Sequence, residues 1–277
     1  MTRAKDQEPV KELSGRGDSE APQVSRIARG VRQSLYRYGW DTRCRNWIAA
    51  RMLCEIVRNL PEQDGPMVLD AGCGAGGVAG FLDDLEVAGV DLVEPDACPS
   101  NLTFRQASVM ELPFSDRAFP VVVCVDVLEH LPLDARQRAV QEIVRVARRA
   151  VLITCPNGQV AERADAGLRR SLDIRGHVVP EWLLEHQAQP YPTSPTVASD
   201  LREAAHAGGR SVQMSLSYCE PVDVARVVRG AAARWRGLYL AANLLCGMLL
   251  PLVPEPGAAN GYRMVVLGEF HEPPAGT

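Results

Sequence analysis

The sequence contains no C-x-x-C pair, no internal repeat, no marked excess of charge and no uncharged run of the ~20 residues needed to cross a bilayer. The eight cysteines, Cys44, Cys54, Cys73, Cys98, Cys124, Cys155, Cys219 and Cys246, lack zinc-ligand spacing, so a metal site is not expected. Several of them sit in apolar runs, as small core residues do. With no apolar stretch in MTRAKDQEPV, that cysteine usage points to a reducing cytoplasm. A net charge of −4 lacks the basic excess with which proteins grip nucleic acid over a large surface, so no nucleic-acid partner is expected.

What is present is ordinary globular composition: 277 residues, 46% hydrophobic and 23% charged, enough for one elaborated domain with a real core. Residues 1–25 are polar, carry Pro9, Gly15, Gly17 and Pro22, and read as a disordered tail. Residues 26–61 form a helical cover, with Trp47, Ile48, Met52, Leu53, Ile56, Val57 and Leu60 at helical spacing and Pro61 as the stop. Arg26, Arg29, Arg32, Arg37, Arg43, Arg45, Arg51 and Arg58 face only Asp41 and Glu55 there. That excess fits either a solvated helix face or contact with an anionic substrate or membrane surface.

Between 62 and 218, short apolar runs alternate with helical stretches. Met67–Asp70, Val87–Asp91, Val121–Val125 and Val151–Thr154 read as buried strands, with connecting helices near 76–85 and 134–149. Such β-α-β succession gives a doubly wound α/β fold around a mostly parallel sheet. At the end of the first strand, VLDAGCGAGG places Gly72, Gly74 and Gly77 in a G-x-G-x-x-G pattern, and Asp91 follows at the interval of a ribose-binding acid. Glycines there allow a sharp turn and close approach of a nucleotide-bearing ligand, with helix N-terminal N–H groups available to its acidic end. The loop alone fits a nicotinamide dinucleotide, an adenosyl ligand or a tight structural turn.

The segments that follow are more specific. Asp70-Ala-Gly72-Cys73-Gly74-Ala-Gly76, then GVDLVEP, MELPFSDRAF and VVVCVDVLEHLP, resemble the class I S-adenosylmethionine-dependent methyltransferases, in the small-molecule branch related to ubiquinone and menaquinone biosynthesis. The likeness covers roughly residues 65–160; TCPNG at 154–158, the pair Glu185-His186 and a strand near 211–218 resemble the family's continuation. It implies a Rossmann-like seven-stranded sheet with an antiparallel closing strand at 262–270, and S-adenosyl-L-methionine as cofactor. It further implies that Asp70 and the Gly72–Gly76 backbone, Cys73 included, cradle the methionine moiety. Asp91, followed by Leu92, would hold the ribose, with Glu94 as the alternative acid. Ser108 and Val109 would flank adenine, and Asp126 would border the cofactor. Two positions depart from the pattern. Ser108 stands where the family commonly has an acid, and Pro120 replaces an aspartate and should mark the first position of its strand.

A sulfonium methyl is already activated, so the protein's task is to align an acceptor and exclude water, with a base if the acceptor is a hydroxyl. His130 and His186 are the candidate catalytic residues, His130 because it follows the fourth strand at the ligand-binding edge. Glu129-His130 also suggests metal-ligand chemistry but lacks a third partner. Residues 126–129, Asp-Val-Leu-Glu, are not the Asn/Asp-Pro-Pro-aromatic signature of base or glutamine methylation, and no paired-glutamate loop of arginine methylation is recognisable. The expected activity is O- or C-methylation of a small, apolar or glycosylated acceptor. The alternatives are a nicotinamide-dependent oxidoreductase and a non-catalytic S-adenosylmethionine-binding module. Residues 219–261 form a helical insertion. Its uncharged run at 237–253 is either a buried helix or lid, or an interfacial helix making peripheral contact with the inner membrane face. Residues 271–277 form a loose tail.

Overall fold

The computed structural model describes residues 40–60, 68–221, 257 and 261–271. The polar tail, the run at 237–253 and all but the first residue of the C-terminal tail lie outside the described residues. Helix α1 spans Trp40–Arg58; strands β1 (Val68–Ala71), β2 (Val87–Asp91), β3 (Leu102–Gln106) and β4 (Phe119–Val125) follow. Then come α2 (Leu133–Val146), β5 (Ala147–Pro156), α3 (Gly158–Ile174), α4 (Glu181–Ala188), α5 (Ser194–Ala207), β6 (Ser211–Pro221) and β7 (Gly261–His271).

These strands form one seven-stranded sheet in the order β3-β2-β1-β4-β5-β7-β6. The first five are parallel, and β7 runs antiparallel to both its neighbours. The doubly wound, Rossmann-like arrangement with an antiparallel closing strand is therefore present. Central β4 reads FPVVVCV and is buried along its whole length, because helices cover both faces of a parallel sheet and leave no side for polar alternation. On one face, Trp47, Ile48 and Leu53 of α1 join Phe81, Val121 and Val123 in a core. On the other, Ala139, Val140, Ile143 and Val144 of α2 pack with Leu201 and Ala205 of α5 over Leu69, Val122 and Ile153. Helix α5 is capped by Thr193, whose side chain accepts from the Thr196 N–H while Thr196 reaches back, satisfying donors the helix cannot use.

Three local expectations need correction. Segment 76–85 forms no α-helix, only a 3-10 turn at Ala79–Phe81. Gly76 and Gly77 have φ of 129° and 48°, which cannot continue into a right-handed helix, and Gly80 adds backbone entropy cost. The glycine loop consequently has no helix N-terminus behind it. Strand β3 escapes the search for apolar runs because it is an edge strand, with Thr103, Arg105 and Gln106 at least partly exposed or fully so. Pro120 is the second residue of β4, not the first: the register with β5 shifts between Phe119 and Val121, and that irregularity accommodates an imide without a ladder donor. Strand β6 also runs on to Pro221, past the boundary read at 218.

Ile143 is fully buried at the centre of the α2 face. Ile143→Ala is expected to lower unfolding free energy by ~2–5 kcal/mol, seen in urea denaturation as an earlier midpoint at unchanged slope.

Candidate functional site

The order of strands reverses between β1 and β4, so the loops leaving their carboxyl ends part and open a crevice. It has a volume of about 530 Å³, within the range of small-molecule sites. The loops after β1 and β4, the end of β2, residues 107–110 and the start of α1 line it.

Asp70, on β1, organises the glycine loop. Its Oδ2 accepts the Val78 N–H at 2.9 Å. A Cβ on Gly77 would stand 1.8 Å from that oxygen, so only glycine lets the backbone close over the carboxylate. Asp70 Oδ1 is buried with no hydrogen-bond partner among the described residues. Burial pushes the carboxyl up to about 7; the Val78 N–H opposes that shift, the charge of Asp91 adds to it and Arg45 opposes it. Gly72 (φ 90°) lies so close to Val127 that a Cβ would meet its methyl at 2.3 Å, tying the two loops together. Gly74 (φ 50°) differs: a Cβ there would have no protein atom within 4 Å. Gly76 does not line the crevice; its N–H donates to the Cys73 carbonyl at 3.1 Å. Cys73 does line it, and burial, followed by the charges of Asp70 and Asp91, pushes its thiol far up.

Asp91 ends β2. One oxygen accepts the Gly74 N–H at 2.8 Å; the other accepts the N–H groups of Leu92 at 2.8 Å and Val93 at 3.4 Å. Leu92 lines the crevice with 65% of its surface exposed, whereas Glu94 is exposed and not part of the lining. Ser108 and Val109 contribute to the wall, and Ser108 Oγ accepts the Met110 N–H at 3.2 Å.

Asp126 also lines the crevice, at φ 52°, but its carboxylate is engaged. Arg263 of β7 donates from Nε to both oxygens, at 3.0 and 2.7 Å, and Arg45 of α1 donates to Oδ2 at 2.8 Å. Arg263 is 1% exposed and also pairs with Glu220. The arginine-rich segment is thus neither wholly a solvated face nor wholly an anion contact. Arg43 is fully buried, and Arg45 is an internal partner of Asp126. Arg45, Thr42 and Asn46 complete the crevice wall, and sequence reading does not single them out. The only hint is an arginine on the buried side of the α1 periodicity.

His130 lines the crevice from a 3-10 turn at Leu128–His130. Its Nδ1 lies 2.9 Å from Glu185 Oε2 on α4. Burial first, then the charge of His186, lower its pKa, and Glu185 partly opposes this. His186 does not line the crevice. It is buried beneath, with Nδ1 3.2 Å from Asp165 Oδ2, an oxygen that also accepts the hydroxyls of Tyr191 and Tyr262 at 2.8 Å each. The rings of His130 and His186 are 5.0 Å apart, so α4 unites two candidates far apart in sequence. Glu129, beside them, is buried with neither carboxylate oxygen hydrogen-bonded, and burial followed by the charge of Asp126 raises its pKa well above the usual range. Sequence reading leaves the Glu129-His130 pair without a third partner; the fold supplies His186.

Residues 69–155 match a family model described as a methyltransferase domain. The chain is 30% identical over 138 residues to "Methyltransferase GfsG" of Streptomyces halstedii, covering 44% of this chain and 46% of that protein. It is 28% identical over 145 residues to "27-O-demethylrifamycin SV methyltransferase" of Amycolatopsis mediterranei, covering 47% and 50%. The alignments thus span about half the length of these relatives. Among solved structures, the plantazolicin methyltransferase BpumL in complex with SAH has a TM-score of 0.50 at 10% identity, covering 88% of this chain and 95% of that one. That likeness is one of fold.

Removing one partner from a buried ionic cluster leaves a charge uncompensated. Arg263→Met is expected to cost ~3–5 kcal/mol of stability, measured by denaturant unfolding, and more than loss of the partly exposed Arg45.

Proposed function

We propose that the chain is a class I S-adenosylmethionine-dependent methyltransferase whose crevice binds S-adenosyl-L-methionine and presents the methyl group to a small-molecule acceptor; the match of residues 69–155 to a methyltransferase domain supports this reading. The observation that carries this reading is the unpartnered Oδ1 of Asp70, buried at the wall of a glycine-lined crevice. A buried carboxylate oxygen without a partner is costly, and a ligand bearing an ammonium and a sulfonium compensates it. The open space before Gly74 admits the ligand's backbone-hugging end. In this reading the Gly72–Gly76 segment cradles the methionine moiety. Asp91, already oriented by three N–H groups, takes a ribose hydroxyl on the lone pair left on its Oδ2, with Leu92 beside it. Ser108 and Val109 flank adenine, the serine hydroxyl still free to donate while its oxygen accepts from Met110. Asp126 acts indirectly, holding Arg45 at the crevice wall and pairing with buried Arg263 rather than offering its own carboxylate.

The cofactor supplies an activated methyl group; the protein supplies alignment and a water-poor site. His130, with its pKa held down by burial, is the group at the wall able to take an acceptor hydroxyl proton, and His186 positions it from beneath. The relatives' printed names include a 27-O-demethylrifamycin SV methyltransferase and a sterol 24-C-methyltransferase. They support a small-metabolite acceptor, which we take to be apolar or glycosylated and O- or C-methylated.

The decisive experiment incubates the full chain with methyl-labelled cofactor and a cell extract, then identifies the labelled product by mass. Labelling is expected in the parent and absent in Gly74→Val, whose branched side chain enters the open space at a left-handed backbone position that costs ~1–2 kcal/mol. Equal labelling of the two proteins refutes the site. Calorimetry with a nicotinamide dinucleotide in place of the adenosyl ligand is expected to show no binding. The pH dependence of binding follows from Asp70. With its carboxyl near 7, the anion that attracts a cationic ligand forms between pH 6 and pH 8, so affinity should rise up to about tenfold over that interval. Asp70→Asn should flatten the rise in isothermal titrations.

A further inference from the structure

The cluster beneath His130 has features that methyl transfer alone does not require. Glu129 and His130 come from the turn after β4 and His186 from α4, and one ligating atom of each lies within 4.8 Å of the others. Both imidazoles are held by a carboxylate on Nδ1, His130 by Glu185 at 2.9 Å and His186 by Asp165 at 3.2 Å. An imidazole that gives its Nδ1–H to a carboxylate keeps a lone pair on Nε2, the arrangement by which proteins orient histidine toward a cation. Glu129 is 2% exposed, yet among the described residues neither of its oxygens has a partner other than the weak help of its own backbone N–H.

Two simpler ways to satisfy Glu129 fail on geometry. The nearest cationic candidate, His186 Nε2, is 3.9 Å from Oε1, beyond hydrogen-bonding reach. Protonating the carboxyl removes the charge but leaves a hydroxyl donor and a carbonyl acceptor still unpartnered. Arg45 and Arg263, the neighbouring guanidiniums, make their bonds to Asp126 instead. A cation between the three residues would satisfy the carboxylate and both Nε2 lone pairs together.

We propose that Glu129, His130 and His186 form a divalent-cation site. Two imidazoles and one carboxylate suit zinc or another first-row transition ion better than magnesium or calcium, which prefer oxygen ligands. Ligands ~2.1 Å from a tetrahedral metal lie roughly 3.4 Å apart. His130, on a short turn with its side chain 35% exposed, has the freedom to close the difference. Three protein ligands leave a further position open, and because His130 also lines the crevice, that position borders the bound acceptor. An acceptor hydroxyl entering there would be acidified by the metal and would pass its proton to water at the crevice mouth, its oxygen then bonding to the methyl carbon as the S–CH₃ bond breaks and S-adenosylhomocysteine leaves. This last consequence rests on the methyl-transfer reading; the cation site does not.

The test uses the full chain, stripped with a chelator and dialysed, titrated with Zn²⁺ against a chromophoric indicator and with Co²⁺ by visible absorption. One equivalent is expected to bind, with Co²⁺ bands of a four- or five-coordinate nitrogen and oxygen site. Glu129→Gln and His130→Asn should abolish stoichiometric uptake. Glu185→Gln, which alters an exposed residue and spares the core, should weaken binding ~10–100-fold, and His206→Asn on α5 should leave it unchanged. Absence of stoichiometric uptake, or uptake that survives Glu129→Gln and His130→Asn, overturns the proposal. Calorimetry with S-adenosylmethionine on the same stripped protein separates the two claims: cofactor binding without metal binding sinks only the cation site.

Discussion

A guanidinium with 1% exposure can exist in a folded chain only if a carboxylate is brought to it, and the meeting of Arg263 with Asp126 sets the geometry at the carboxyl edge of the sheet. Asp126 is held in a left-handed conformation, which a non-glycine residue adopts at a cost the ion pair offsets. Its position links four elements: β4, which it follows; β7, which carries Arg263; α1, which carries Arg45; and the end of β6, which carries Glu220. The antiparallel closing strand therefore also anchors the loop at which the strand order reverses. The glycine loop depends on that anchoring in turn, because Gly72 packs directly against Val127, the next residue along.

Acidic groups recur around the crevice, and the local structure treats each differently. Asp70 is buried and half-satisfied, Asp91 is half-buried and bonds three backbone N–H groups, and Asp126 pairs with two arginines. Of these three, among the described residues, Asp70 is the one with a buried oxygen that no hydrogen bond satisfies, so it is the most sensitive of them to a positively charged guest. Beneath, Asp165 collects two tyrosine hydroxyls and the imidazole of His186, which fixes that ring without access to solvent.

The buried central strands were legible because a parallel sheet covered on both faces leaves continuous apolar runs, as in VVVCV of β4. The glycine loop and Asp91 were legible because a close backbone approach demands particular residues. What escaped reading has a common cause. β3 is half-polar because it is an edge strand. The helix expected at 76–85 satisfies apolar periodicity but not the dihedrals of Gly76 and Gly77, and dihedrals are not written in hydropathy. Pro120 sits one residue later than its missing donor suggests, because a register shift absorbs it. Arg45, Arg263 and the approach of His186 to Glu129 depend on partners 60 to 140 positions distant, roughly speaking, and pair identity at such separation leaves no local pattern.

Cys73 bears on the safety of the crevice. A sulfonium methyl alkylates thiolates readily, and this sulfur lines the wall where such a donor would lie. Because desolvation and the neighbouring acids hold the proton on sulfur, the side chain stays a spectator rather than a victim. In the proposed complex, burial first and the neighbouring negative charges second would keep the protein from modifying itself.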